Sequence, residues 1–296
     1  MNLLIIVTAI IFSLFDSEIT HNSDMTVLKG HIADILATHK GIYAIAFRDL
    51  QNGTEYLYNE NEIFHAASTM KTPVMMEIFN QVKKGYLSLS DSIAIVNSFT
   101  SIIDGSKYSL DVSDDSEDGL YSKLGQKESV YNLIYDMITS SSNFATNLLI
   151  EKIKADSVVK TLHEMNINDI CVLRGVEDLK AFDAGKNNTT TAHGLMELYT
   201  LLAKGKLIDP ESSQQMIKIL LQQKLNDRIP ELLPATVTVA HKTGSITNVE
   251  HDSGIIFLPD GRKYVLVILS KNLDSNSDGK DAVAKISKAF YDYMVN

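Results

Sequence analysis

The amino-acid sequence predicts an α+β chain of two lobes. One is an antiparallel five-stranded sheet formed by both chain ends with flanking helices, and the other is all helical. Three observations carry this. Strand-like alternation with hairpin signals occurs near the start, at 41–59, and again near the end, at 235–270. Between them the apolar residues recur mainly at helical spacing. Chain ends commonly lie close together, so the two strand groups join most simply into one sheet. The helical middle then forms a second lobe, and the cleft between lobes is a natural ligand site.

The elements follow in order. The opening MNLLIIVTAIIFSLFDSEIT is apolar from Leu3 to Phe15. That run is short of the roughly 20 residues a bilayer span needs and suits the apolar part of a secretory leader. Residues 1–22 are therefore expected to be a signal peptide, cut between Ser17 and Ser23. No Lys or Arg precedes the run and no A-x-A site follows it, so a buried strand or a retained anchor is the alternative. The remainder, 23–296, reads as one domain, with the sheet lobe over about 24–66 and 226–296 and the helical lobe over about 67–225.

VLKGHIADILATHK (27–40) has helical spacing and stops before Gly41. GIYAIAFRDL (41–50) and TEYLYN (54–59) are strands joined by the turn signal QNG. Residues 68–84 read as a helix, with Met70, Val74, Ile78 and Val82 every fourth position and Met75 and Phe79 alongside. Residues 129–153 carry two helical stretches broken around Thr139–Asn143, and 189–205 and 212–223 are further helices. The loop at 104–126 contains DVSDDSED, which lacks the glycine and terminal glutamate of an EF-hand and is expected to be solvated. ATVTVAHKTGS (235–245), HDSGIIFLPDG (251–261) and RKYVLVILS (262–270) are strands, and a helix over 278–294 closes the chain.

Composition narrows the function. The chain has 296 residues, 45% hydrophobic and 22% charged, which is the balance of a soluble globular protein with a large core. Its formal net charge of −10, from 37 acidic against 27 basic residues, argues against a nucleic-acid partner. Cys171 is the one cysteine, so no internal disulfide forms, and without a surrounding motif it reads as a packing residue. His65, His193, His241 and His251 fit no zinc-ligand spacing, so no metal and no cofactor is expected.

Three short stretches bear chemistry. Ser68-x-x-Lys71 means little as a pattern, since Ser157/Lys160 and Ser277/Lys280 match it too. Its setting is different: it opens a helix, so a hydroxyl and an amine share one face beside unpaired backbone N–H groups. A capping serine and a snorkelling lysine are the plainer reading. Ser141-Ser-Asn143 sits at a break between helices, where capping would account for it, and Ser270-Lys-Asn272 matches by chance. Lys242-Thr243-Gly244-Ser245 ends a strand, where glycine lets something approach the backbone; a protective edge lysine is the alternative.

Together and in this order, the three stretches resemble the penicillin-recognising serine enzymes, the class A β-lactamases and penicillin-binding proteins. The resemblance spans nearly the whole chain after the leader and includes Asn147, NTTTA at 188–192, and Arg228-Ile229 upstream of AHKTGS. It implies that Ser68 is the acylated nucleophile and Lys71 its base, kept neutral by Lys242. It also implies that Ser141 relays a proton to the departing nitrogen and that Asn143 binds the substrate's side-chain amide. The N–H groups of Ser68 and Ser245 would form an oxyanion hole, Thr243, Ser245 and Arg228 would hold a carboxylate, and Gly244 would let the substrate lie along the strand. A serine hydroxyl needs such a base, because it is a weak nucleophile at neutral pH.

The family's deacylating glutamate usually follows the loop arginine by two residues. In RGVEDLKAFDAGKNN (174–188), Glu177 comes three after Arg174, Ala181 stands where an asparagine is expected, and Asn188 replaces an aspartate. Glu177 is the expected base, with Asp178 as substitute and a solvated Glu–Asp pair as the plainer reading. The implied activity is hydrolysis of the β-lactam amide. The alternatives are a cell-wall D-Ala peptidase or esterase, or a penicillin-binding module acylated without turnover. The expected partner is a small acyl substrate, with no nucleic acid and no membrane span once the leader is cut. The protein would act as a periplasmic or secreted monomer.

Overall fold

The computed structural model describes residues 25–296; the leader expected at 1–22 lies outside the described residues. Helix α1 (25–38) leads into strands β1 (Ile42–Asp49) and β2 (Glu55–Tyr58). After the helical middle come β3 (Thr238–Ile246), β4 (Val249–Phe257) and β5 (Lys263–Lys271). All neighbours are antiparallel in the order β2-β1-β5-β4-β3, so the two chain ends meet where β1 pairs with β5.

Both faces of this sheet are covered, which is why its central strands read as continuous apolar runs. Tyr43, Ile45 and Phe47 of β1, with Tyr264, Leu266 and Ile268 of β5, pack under α1 and the last helix. Ala44, Ala46, Val265, Val267 and Leu269, one residue out of phase, join the core of the helical lobe. A one-residue slip would exchange the two sets, so the register is firmly specified.

The helical lobe is wrapped around α2 (Lys71–Lys83), in which every residue from Lys71 to Asn80 is buried. A helix buried on all sides sits inside a lobe, and the four-residue spacing seen in sequence captures only one of its faces. Around it lie α3 (Val130–Thr139), α4 (Asn143–Ile153), α5 (Ala155–Glu164), the short α6 (Leu179–Asp183), α7 (Ala192–Ala203) and α8 (Pro210–Leu220). Helix α9 (Asn276–Val295) returns to the sheet, capped by Ser275. Among the described residues no helix is long and apolar enough to cross a membrane.

Some features escape the sequence reading. Helix α5 follows α4 after a single residue, Lys154, whose φ of +68° turns the chain. Three short antiparallel pairs also decorate the middle: Phe64–His65 with Thr189–Thr190, Ser92–Ala94 with Lys127–Ser129, and Phe99–Thr100 with Lys107–Tyr108. Two or three residues are too few to show alternation. Strands β3 and β4 run closer together than the expected ends at 245 and 251 and are joined by a two-residue hairpin turn, Ile246 pairing with Val249.

Candidate active site

The nucleophile candidate lies in a turn rather than in the helix proper. Ala67–Met70 is wound as a 3₁₀ segment that runs straight into α2. Tight 3₁₀ winding eclipses positions i and i+3, so Ser68 and Lys71 project from the same side. Ala67, just before, has φ +44°, a left-handed conformation that costs about 1–3 kcal/mol for a residue bearing a Cβ. Ser68 is half-buried, and Lys71 is fully buried.

The break between α3 and α4 supplies the second group. Ser141 has φ +61°, which bends the chain so that its carbonyl and hydroxyl both face Lys71. Lys71 Nζ donates to Ser141 O at 2.6 Å and Asn143 Oδ1 at 2.9 Å, and lies 3.2 Å from Ser141 Oγ. The sequence suggests a direct Lys71–Ser68 hydrogen bond, but here all three positions on the nitrogen are committed to Ser141 and Asn143. If Lys71 is neutral, one of these contacts must be inverted. Only the Ser141 hydroxyl can then donate, because the other two partners are carbonyl oxygens.

Strand β3 brings the third group. It is an edge strand, and Lys242, fully buried, donates from Nζ to Ser141 Oγ at 3.0 Å and to Thr243 O at 3.1 Å. The two-residue hairpin fixes Ile246–Val249 as a hydrogen-bonded pair, so alternate residues 245, 243 and 241 turn their N–H and C=O groups to the open edge. The His241 carbonyl accordingly accepts from Gln223 Nε2 instead of from β4. By the same alternation the Ser245 N–H faces the turn that holds Ser68. Gly244 makes the approach possible: a Cβ there would sit 3.1 Å from Thr69 Cγ2 and 3.2 Å from Ser68 N.

Burial dominates the electrostatics. It lowers Lys71 to about 7, against the opposing pull of Asp115 and Glu177. Lys242 is held well below its ordinary value, first by burial and then by Lys71. The sequence reading makes Lys242 the cause of Lys71's neutrality; in the structure desolvation leads for both.

Glu177 reaches the site, and Asp178 does not. Glu177 has φ +61°, accepts from Asn143 Nδ2 at 2.6 Å, and is raised above the ordinary carboxyl value mainly by burial. Asn143 thus joins Lys71 to Glu177 through its two amide ends. Asp178 turns away to cap α6 and to accept from Ser101 Oγ and Ile102 N, which removes it as a substitute base. The loop is clamped by Asn147, which accepts from Val176 N at 2.7 Å and donates to Val176 O at 3.0 Å.

Arg228 requires a correction too. Its guanidinium is buried and bound to Glu250, Nε to Oε2 at 2.7 Å, and to Asp227. Each of its three nitrogens is engaged by a carboxylate, so Arg228 does not present itself to a substrate carboxylate. Glu250 also accepts from Ser245 Oγ at 2.8 Å and Asn276 Nδ2 at 2.8 Å, which turns the Ser245 hydroxyl proton inward. Thr243 is buried on the same strand.

Sequence reasoning missed two groups. Asp115, in the acidic loop, accepts from Asn143 N at 2.9 Å, Phe144 N at 2.8 Å and Tyr121 Oη at 3.1 Å, so it caps α4 where Asn143 begins. Its neighbour Ser116 donates to Ser140 O at 2.7 Å, gripping the other side of the Ser141 bend. Glu250 is the second, and its place opposite Ser245 was set by a register the sequence does not state. Three of the four histidines pack as polar residues, His241 on Asp252, His251 on the His65 carbonyl and Ser270 N, and His193 beside Asp169, while His65 Nδ1 accepts from Ala67 N. Cys171 is half-buried in a bridge with Thr189, and burial raises its thiol.

Three comparisons with known proteins show the family and the fold. The model of the beta-lactamase enzyme family matches residues 27–294. The chain belongs to the beta-lactamase enzyme family. The extended-spectrum beta-lactamase PER-1 of Pseudomonas aeruginosa is 24% identical, over 95% of this chain and 91% of its own length. A beta-lactamase crystal structure from Sphaerobacter thermophilus superposes with a TM-score of 0.74 at 25% identity, covering 89% of this chain and 95% of that one. A mutant of PBP-A, solved as an acyl-enzyme complex with penicillin G, superposes with a TM-score of 0.77 at 22% identity, covering 91% and 96%. In this family member the described fold is the beta-lactamase and penicillin-binding-protein fold, and the helix after the Ser68 turn and the edge strand β3 bring Lys71 and Lys242 to the hydroxyl of Ser141 at the bend.

Proposed function

We propose that this enzyme hydrolyses the amide of β-lactams through an acyl-enzyme at Ser68. One observation carries the reading: two buried lysines, Lys71 and Lys242, meet at the hydroxyl of Ser141 beside the Ser68 turn. Burying two amines a few ångströms apart is costly unless one is neutral, and a neutral amine is what Ser68 needs as a base.

In the forward step Ser68 Oγ attacks the β-lactam carbonyl. Its proton goes to Lys71, which first gives up one of its three contacts. Such catalytic hydrogen bonds often form only when substrate is bound. The developing oxyanion lies between the N–H groups of Ser68 and Ser245, where preorganised donors stabilise it. The C–N bond breaks, and the ring nitrogen takes the Ser141 proton, which is replaced from Lys71. In the second step Glu177 removes a proton from water as the water attacks the ester, and Ser68 leaves with its proton restored. The edge strand β3 pairs with the substrate backbone, while Thr243 and Lys242 face its carboxylate and Asn143 its side-chain amide. Export as a periplasmic or secreted protein is part of the same reading, supported by the apolar opening of the sequence, and action as a monomer by the fact that one chain supplies every site residue.

Incubation with a chromogenic cephalosporin tests the reading. Continued turnover is expected. A single burst equal to the enzyme concentration would instead identify a penicillin-binding module, and no reaction at all would sink the β-lactam assignment.

A further inference from the structure

We propose that His65 is a positioning residue for the nucleophile: its imidazole holds the strained Ala67 in the conformation that aims Ser68. The inference rests on the reading that Ser68 is the acylated group. His65 Nδ1 accepts from the backbone N–H of Ala67 at 3.0 Å. That bond spans two residues, the geometry in which an Asn or Asp side chain fixes a turn. The residue it holds, Ala67, has φ +44° and immediately precedes Ser68, whose N–H lies against Gly244. A non-glycine residue keeps such a conformation only when its surroundings over-determine it.

The surroundings of the ring support this. Because Nδ1 accepts, the ring proton sits on Nε2, and Nε2 is sealed from water with no hydrogen-bond partner. An orphaned buried donor is unfavourable and calls for a reason. Here the reason is that the ring is aimed at Ala67. Three contacts fix that aim. The His65 carbonyl accepts from His251 Nε2 at 2.9 Å, His65 pairs with Thr189, and Phe182 packs edge-on at 5.9 Å between ring centroids. Burial, helped by Arg174, keeps the imidazole neutral, so the Nδ1 lone pair stays available. The rest of the turn is held separately: Ala66 O accepts from Thr69 N and Thr69 Oγ1, and Ala66 N donates to Asn188 O. Losing the ring therefore frees the peptide next to Ser68 while leaving the other turn bonds in place.

Two variants and two probes test the proposal on the full chain. His65→Ala removes the acceptor, whereas His65→Asn replaces it with an amide oxygen suited to the same two-residue bond. The probes are single-turnover labelling by a fluorescent penicillin and the Kd of phenylboronic acid, whose adduct with Ser68 places an oxygen against the same N–H groups. His65→Ala should lose roughly 10²-fold in labelling rate and in boronate affinity, with His65→Asn recovering to within about tenfold of wild type. Both variants should keep wild-type KM for turnover more nearly than kcat, a split that a general loss of packing would not give. Labelling and boronate binding unchanged in His65→Ala would overturn the proposal, as would a folded His65→Asn no better than His65→Ala. If His65→Ala does not fold, His65→Asn decides alone: wild-type-like binding supports the proposal and loss refutes it. If wild type binds boronate but is never labelled by penicillin, the β-lactam reading fails and the boronate series still decides the role of His65.

Discussion

Lys71 and Lys242 direct their side-chain nitrogens at the same atom, the hydroxyl oxygen of Ser141, from 3.2 and 3.0 Å. A hydroxyl oxygen has two lone pairs and can accept from both, or accept from one and donate to the other. In the mechanism proposed above Ser141 is the shared proton station, and the protonation state of Lys71 would set its direction.

The acid limb of acylation should fall near neutrality. Burial lowers Lys71 to about 7. Below that pH the amine is an ammonium and cannot accept the Ser68 proton; above it the base is free. Single-turnover acylation should thus rise through about pH 7 and level off. A limb near the ordinary lysine value would show that Lys71 is not kept neutral.

Glu177→Gln should trap the acyl-enzyme. The carboxylate is anchored by Asn143 Nδ2 at 2.6 Å, and the amide keeps its shape while losing the basic oxygen. Deacylation should slow by roughly 10²- to 10⁴-fold with acylation affected far less. Because burial raises Glu177, its own limb in deacylation should lie above the ordinary carboxyl range. Intact mass after mixing with penicillin reads the trapped adduct; unchanged deacylation would move the role elsewhere.

Asp115→Asn should change the pH profile as well as stability. Losing a carboxylate that caps α4 should cost about 1 kcal/mol, read by thermal melting. Asp115 also favours protonated Lys71, as does Glu177 from the opposite loop. Removing the Asp115 charge should therefore move the acylation limb to lower pH, an effect that a purely structural cap would not produce.

Gly175→Ala should loosen the loop that carries Glu177. A Cβ there would clash with Asn147 Oδ1, so the Asn147–Val176 clamp must open. Deacylation should fall by roughly 10- to 10²-fold and acylation by less. Equal losses in both steps would show that the clamp serves the whole site.

The fold was legible because its signals are local and repeated. Tyr43, Ile45 and Phe47 alternate with Ala44 and Ala46, and the QNG signal at 51–53 marks the turn that pairs β1 with β2. Ser68, Lys71, Ser141, Asn143 and Lys242 were legible as short motifs whose order matched a family. What stayed hidden was partnership across space. Arg228 looks like a free cation in sequence, yet Glu250, 22 residues on, takes its charge. Asp178 looks interchangeable with Glu177 until the left-handed turn at Glu177 sends the two side chains to opposite partners. Asp115 sits in an acidic run that reads as solvated, and only the tertiary fold brings it onto the N–H groups of Asn143 and Phe144. Burial, which governs both lysines, is likewise a property of the packed lobe and not of either motif.

The central claim is that Ser68 becomes covalently acylated. Acid-quenched mass spectrometry of the protein during reaction with benzylpenicillin tests it most directly. Because the ring nitrogen stays tethered after C–N cleavage, the predicted result is a short-lived gain equal to the whole penicillin mass. It should map to the peptide containing Ser68 and be missing in Ser68→Ala. An adduct that persists in Ser68→Ala, or that maps to another residue, would contradict the account.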